Sequence, residues 1–163
     1  MTSFVVDAML GRLATWLRLV GCDAFYSAKT DDEGLLEIAH KEERVLLTAD
    51  AELCRRAEDA GIECMLLRGS VEERLAAVFT RYGIEPVVDP SKSRCSKCNN
   101  VLTEIPASEK ERVRDLVHEA TYTYYNEFWL CEYCKSVFFR GGQWTNIERY
   151  IGLIADLMRD SEV

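Results

Sequence analysis

The sequence predicts an α/β fold: a mostly parallel sheet with helices on both faces, followed by a small metal-bound module and a terminal helix. Three observations carry this. Within residues 1–85, short apolar β-type runs alternate four times with segments of helical periodicity, the pattern of successive β-α units. The first and third runs end at or near an aspartate, Asp7 and Asp50, and Asp31-Asp32 follows the second. Beyond residue 93 the character changes to two C-x-x-C pairs, Cys95/Cys98 and Cys131/Cys134, a spacing that supplies a four-thiolate metal site.

The elements follow in order. The first strand is Ser3 to Val6. A helix from Met9 to Val20 presents Leu10, Leu13, Ala14 and Leu17 on one face and stops at Gly21. The second strand is Asp23 to Ser27. Thr30 and Glu33 read as a capping box before a helix carrying Leu35, Leu36, Ile38 and Ala39. A third strand, Arg44 to Leu47, leads through Thr48-Ala49-Asp50 into a helix over 51–60 that stops at Gly61. Ile62 to Leu67 is the fourth strand, and Ser70 with Glu73 caps a fourth helix running to Arg81, with Gly83 beyond it. Glu85 to Lys92 is a linker by composition. The expected division is therefore an α/β domain over 1–85, a linker over 86–93, and a zinc module with a C-terminal helix over 94–163. In that last part β runs appear at Val101–Leu102, Phe128–Leu130 and Val137–Phe139. Glu109 to Val117 reads as a short helix or a charged loop. Trp144 to Met158 has helical spacing in Ile147, Tyr150, Ile151, Ile154 and Leu157, and is expected to pack back on the body.

Composition narrows the class. The chain has 163 residues, 48% of them hydrophobic, which suits a globular protein rather than a disordered one. No apolar run approaches membrane-span length, and the opening Met1-Thr2-Ser3-Phe4 does not read as a secretory leader, so a cytoplasmic protein with no membrane association is expected. The net charge of −8 argues against a broad nucleic-acid-binding face. Residues 1–90 hold 10 basic against 17 acidic side chains, and residues 91–163 hold 10 against 11. The acid excess in the first part is either a solvated surface or a carboxylate cluster that needs a cation. Seven cysteines without a secretory route do not suggest a disulfide scaffold. Cys22, Cys54 and Cys64 stand alone and read as buried small hydrophobes.

Topology turns the scattered aspartates into a candidate site. Short right-handed crossovers favour strand order 2-1-3-4, which makes the first and third strands neighbours. Asp7 and Asp50 then end adjacent strands about 5 Å apart, and Asp31 and Asp32 follow the second strand on the same edge. Crowded carboxylates repel; Mg²⁺ or Mn²⁺ relieves that repulsion through oxygen ligands and retains waters for chemistry. The plainer reading is local capping, since Asp31 and Asp50 both precede helices. Arg12 near the start of the first helix is placed to meet a phosphate or to ion-pair with an acidic neighbour; Arg18, for which a solvated helix arginine is the plainer reading, Lys29 and Thr48 are weaker substrate-binding candidates. The four paired cysteines fill all positions of a tetrahedral Zn²⁺ site and leave none open, so that zinc is expected to be structural. Asn99 and Lys135 stand after the two pairs, where a left-handed backbone is wanted. Tyr122, Tyr124, Tyr125, Phe128, Trp129 and Trp144 are expected to pack the small module rather than stack bases. A phospho-receiver site needs a second acidic residue beside the first, and Val6 and Ala8 flank Asp7. A haloacid-dehalogenase-type site needs an aspartate two residues on, and Met9 stands there.

The block from Asp7 to Gly21, DAMLGRLATWLRLVG, closely resembles the opening of the Mut-seven C-terminal RNase domain family. The likeness continues through Thr30-Asp31-Asp32-Glu33, Leu46-Leu47-Thr48-Ala49-Asp50, the two cysteine pairs and Glu127-Phe128-Trp129-Leu130-Cys131. The resemblance implies a PIN-like three-layer sandwich with a fused zinc ribbon, and metal-dependent ribonuclease activity on RNA. It places acidic positions on Asp7, Asp31/Asp32 and Asp50, and ribbon ligands on Cys95, Cys98, Cys131 and Cys134. The chain departs from the family pattern at Thr15, where a basic residue is common, and at Gly142-Gln143-Trp144, where Ser-His-Trp is expected. No late acidic residue completing the site is evident. The alternative is a non-catalytic module that docks RNA or a protein partner through the ribbon.

Overall fold

A computed structural model describes residues 1–161. Four parallel strands, β1 (Phe4–Val6), β2 (Ala24–Tyr26), β3 (Val45–Thr48) and β4 (Cys64–Leu66), lie in the order β2-β1-β3-β4. Phe4 stands beside Ala24 on one side and Val45 on the other. The 2-1-3-4 order expected from short crossovers is the one found.

Alternation along the strands divides the core in two. Phe4, Val6, Val45 and Leu47 face one layer with Leu13 and Leu17 of α1 (Gly11–Leu19), and with Leu75 and Phe79 of α4 (Val71–Tyr82). Val5 and Leu46 face the other, with Leu35 and Ala39 of α2 (Asp32–Lys41) and Leu53 and Ala57 of α3 (Ala51–Asp59). This is a three-layer sandwich. The Ser70–Glu73 capping box is present in full, and Gly83 ends α4 in a left-handed conformation.

The second part opens with Val101 bridged to Arg94. It then forms a three-stranded antiparallel sheet, β5 (Thr103–Ile105), β6 (Phe128–Leu130) and β7 (Val137–Phe138). Between β5 and β6 the chain makes a 3₁₀ segment over Ala107–Leu116, broken at Glu109, and a short helix α5 (Glu119–Tyr124). Ile105, Val113, Phe128 and Leu130 form its own small core, with Tyr122, Tyr125 and Phe139 against it, so most of these aromatics pack, as expected. The last helix, α6 (Trp144–Asp160), returns to the body: Ile151 and Ile154 are buried in the first core layer, and Tyr150 stacks on Trp16 at 4.3 Å.

Four sequence expectations are corrected. The first helix does not begin at Met9. A 3₁₀ turn over Ala8–Leu10 precedes α1, and within it the Ala8 carbonyl accepts the Tyr26 hydroxyl at 2.8 Å. The cap of α2 is Asp31, not Thr30: its Oδ1 accepts the Gly34 N–H at 2.8 Å, while Glu33 pairs with Arg56 of α3. The strand expected at Val101–Leu102 lies at Thr103–Ile105, in register with Phe128–Leu130. Cys54 and Cys64 do not stand alone: α3 packs beside β4 and joins them as a disulfide, with Cα atoms 5.7 Å apart, a separation suited to such a bridge.

Candidate functional site

At the carboxyl edge of the parallel sheet, β1 leads directly into Asp7. Its backbone N–H donates to the Leu47 carbonyl at 3.0 Å, which fixes the aspartate beside β3. The side chain is 9% exposed. Thr48, fully buried at the end of β3, donates its hydroxyl to Asp7 Oδ2 at 2.8 Å and accepts the Asp50 N–H at 3.0 Å. One threonine therefore ties the two aspartates into a fixed relation. Asp50 is exposed; its Oδ1 caps α3 by accepting the N–H groups of Glu52 and Leu53 at 2.9 and 3.2 Å. Asp31 caps α2 in the same manner, and Asp32, exposed, opens the first turn of that helix. Among the described residues, Asp7 Oδ1, Asp50 Oδ2 and Asp31 Oδ2 take no hydrogen bond. The ligand atoms of these carboxylates do not form a tight group of three: among the described residues, the four cysteines alone do so.

The remaining candidates separate. Arg12 is exposed at the start of α1, where its charge acts on Glu72 of α4 and Tyr150 of α6. Lys29 is exposed in the turn after β2 and makes no ion pair among the described residues. Arg18 is corrected as a substrate-binding candidate. It lies at the far end of α1, 4% exposed, with Nε donating to the Ala24 carbonyl at 2.9 Å and Nη1 to the Ser96 carbonyl at 3.0 Å. Sequence periodicity put it on the helix but did not show which edge of the sheet it reaches.

Three residues around the acidic edge escaped sequence reasoning. Glu72 sits in the first turn of α4, after β4 on the same edge; its own backbone N–H holds its carboxyl below the ordinary range. The Ser70–Glu73 capping box was the available signal for it. Tyr150, behind Glu72, is pushed up to about 12 by burial and by the Glu72 charge. Tyr26, which meets the turn after Asp7, left no comparable signal. Its hydroxyl also explains Gly11: a Cβ there would lie 2.9 Å from it.

The second site is the cysteine cluster. The four Sγ atoms lie within 4.8 Å of one another, with Cys95–Cys134 at 3.5 Å and Cys98–Cys131 at 3.3 Å. Tetrahedral zinc at about 2.3 Å from each sulfur spaces thiolates by roughly 3.8 Å, so the donor set fits that ion. Asn99 and Lys135 have φ of 70° and 64°; the left-handed turn after each pair is made without glycine. Burial pushes the Cys95 thiol up to about 12 against the lowering effect of the Cys98 and Lys97 backbone N–H groups, whereas the contact with Ser136 holds the Cys134 thiol down to about 6. Asn100 Nδ2 lies 3.2 Å from Cys98 Sγ.

Among the described residues no helix is long and apolar enough to cross a membrane. Neither the curated proteins nor the solved structures contain a match to this chain. A family model described as the Mut7-C RNase domain matches residues 2–151, a span that takes in the acidic edge, the four cysteines and the first half of α6. With nearly its whole length matched, the chain belongs to the Mut7-C RNase domain family.

Proposed function

We propose that this protein is a metal-dependent ribonuclease whose site is the carboxyl edge of the parallel sheet. The observation that carries this reading is the Asp7–Thr48–Asp50 linkage: a largely buried carboxylate and an exposed one, held in register by a single hydroxyl. Asp7 Oδ1 and Asp50 Oδ2 would hold Mg²⁺ or Mn²⁺, with Asp31 or Asp32 helping. When bound, the ion supplies a low-pKa water as nucleophile and charge stabilisation at the phosphoryl oxygens. Thr48 keeps Asp7 from rotating as substrate arrives. Arg12, exposed beside Glu72, binds and orients a backbone phosphate of RNA. Lys29, exposed on the same edge, adds a second cation for the strand. The cysteine cluster holds Zn²⁺ as a structural ion, since its four thiolates leave no position for substrate.

The test is cleavage of a labelled RNA with Mn²⁺ by the parent, Asp7→Asn and Asp50→Asn proteins. The expected result is a loss of about a hundredfold or more in each variant. Equal cleavage by all three attributes it to a contaminant and sinks the assignment.

A further inference from the structure

We propose that the zinc centre clamps the outer edge of the parallel sheet: with zinc bound, the first cysteine knuckle is fixed so that Asn99 and Arg18 seal the outward peptide groups of Ala24 at the start of β2. The proposal rests on zinc occupancy and not on ribonuclease activity.

β2 is the outermost strand beside β1. The Phe4 N–H donates to the Asp23 carbonyl at 2.9 Å, so in this parallel register both peptide groups of Ala24 point away from β1. An exposed edge of this kind invites pairing with another chain. Here both groups are taken. Asn99 Oδ1 accepts the Ala24 N–H at 3.1 Å, and Arg18 Nε donates to the Ala24 carbonyl at 2.9 Å. Neither contact is independent of the knuckle. Asn99 is the left-handed residue just after Cys98, and its N–H donates to the Cys95 carbonyl at 2.8 Å. Its Nδ2 also reaches Asp23 Oδ1 at 2.7 Å. Arg18 Nη1 grips the Ser96 carbonyl inside the Cys95–Cys98 turn. The Arg18 carbonyl accepts the Arg94 N–H at 2.8 Å, and Ser93 Oγ donates to the Leu19 carbonyl at 2.5 Å.

The charges agree with this arrangement. Zinc with four thiolates carries two net negative charges, and the buried Arg18 guanidinium interacts with Cys95 and Cys98. Outer residues that hydrogen-bond a metal-bearing loop orient its ligands and tune the ion. The asparagine standing where glycine would be the easier left-handed residue also gains a reason: a glycine there would make the turn but leave the Ala24 N–H open.

The experiment is amide hydrogen exchange on the full chain, zinc-loaded and chelator-treated, with zinc content measured by mass spectrometry. Zinc removal is expected to speed exchange at β2 about tenfold or more while β4, the opposite edge strand, changes little. Asn99→Gly is expected to keep one zinc per chain and still expose the Ala24 amide. Unchanged β2 exchange in a chain that loses its zinc overturns the clamp, as does equal acceleration of β2 and β4, or an Asn99→Gly protein that protects Ala24 like the parent. A chain that takes up no zinc overturns the zinc assignment itself, an outcome distinct from the others.

Discussion

The two ends of the parallel strands treat charge in opposite ways. At the amino end, Asp23 is met by Arg44 at 2.8 Å, by Arg94 at 3.6 Å and by Asn99 at 2.7 Å; Arg44 also donates to the Phe4 carbonyl. At the carboxyl end, Asp7, Asp31, Asp32 and Asp50 form no ion pair among the described residues, and only a hydroxyl and helix N-termini answer them. The same sheet thus has a fastened end and an end whose aspartates make no ion pair among the described residues.

The largest effect is expected at the fastening itself. A structural zinc site contributes on the order of 10 kcal/mol to the fold it organises, so Cys131→Ser should lose the ion and the order of the ribbon. The near-ultraviolet circular dichroism of Trp129 and Trp144 should collapse while far-ultraviolet helicity of the α/β body persists.

Next come paired substitutions at the two ends. Arg44→Met should lower stability in urea by about 1–3 kcal/mol, the range for hydrogen bonds to charged groups, with cleavage by the folded protein unchanged. Asp7→Asn should do the reverse, abolishing cleavage while the urea midpoint scarcely moves. If both variants lose stability alike, the two ends do not differ as described.

A similar destabilisation, by crowding, is expected at Gly11. The methyl of Gly11→Ala would press on the Tyr26 hydroxyl, an overpacking that costs about 1–3 kcal/mol. Combining it with Tyr26→Phe should recover part of the loss in thermal melts, since the crowded oxygen is gone.

The smallest effect is acid dependence. Burial works to raise the Asp23 carboxyl, but hydrogen bonds from Arg44 and Asn99 outweigh it and hold it below its ordinary value. A depressed carboxyl contributes stability that is present above the unfolded value, about 3.9, and lost as pH falls through the folded one. The urea midpoint of the parent should therefore fall more between pH 5 and pH 3 than that of Asp23→Asn.

Strand order and the zinc ligands were legible because each rests on a local rule. Short crossovers leave few topologies, and C-x-x-C aims two sulfurs at one point. What was hidden depends on partners distant in sequence. The 3₁₀ turn at Ala8–Leu10 is met by Tyr26, and buried Arg18 by Ser96. The Cys54–Cys64 bridge joins a helix to the strand that follows it, and neither residue carries a spacing signal. For α2 the sequence offers Thr30 and Asp31, both good caps, and only the backbone decides between them.

The return of α6 to the first core layer means that the ribbon is an insertion, with both of its ends anchored in the α/β body. Opening the ribbon leaves a tether of roughly 60 residues between α4 and α6. Closing a flexible loop of that length costs about 4 kcal/mol of chain entropy. By drawing Cys95, Cys98, Cys131 and Cys134 to one point, a metal shortens the free tether and keeps Ile151 and Ile154 near their seats between α1 and α4. A shortened chain ending at residue 85 would lack that helix altogether and leave Leu75 and Phe79 without the cover they have here.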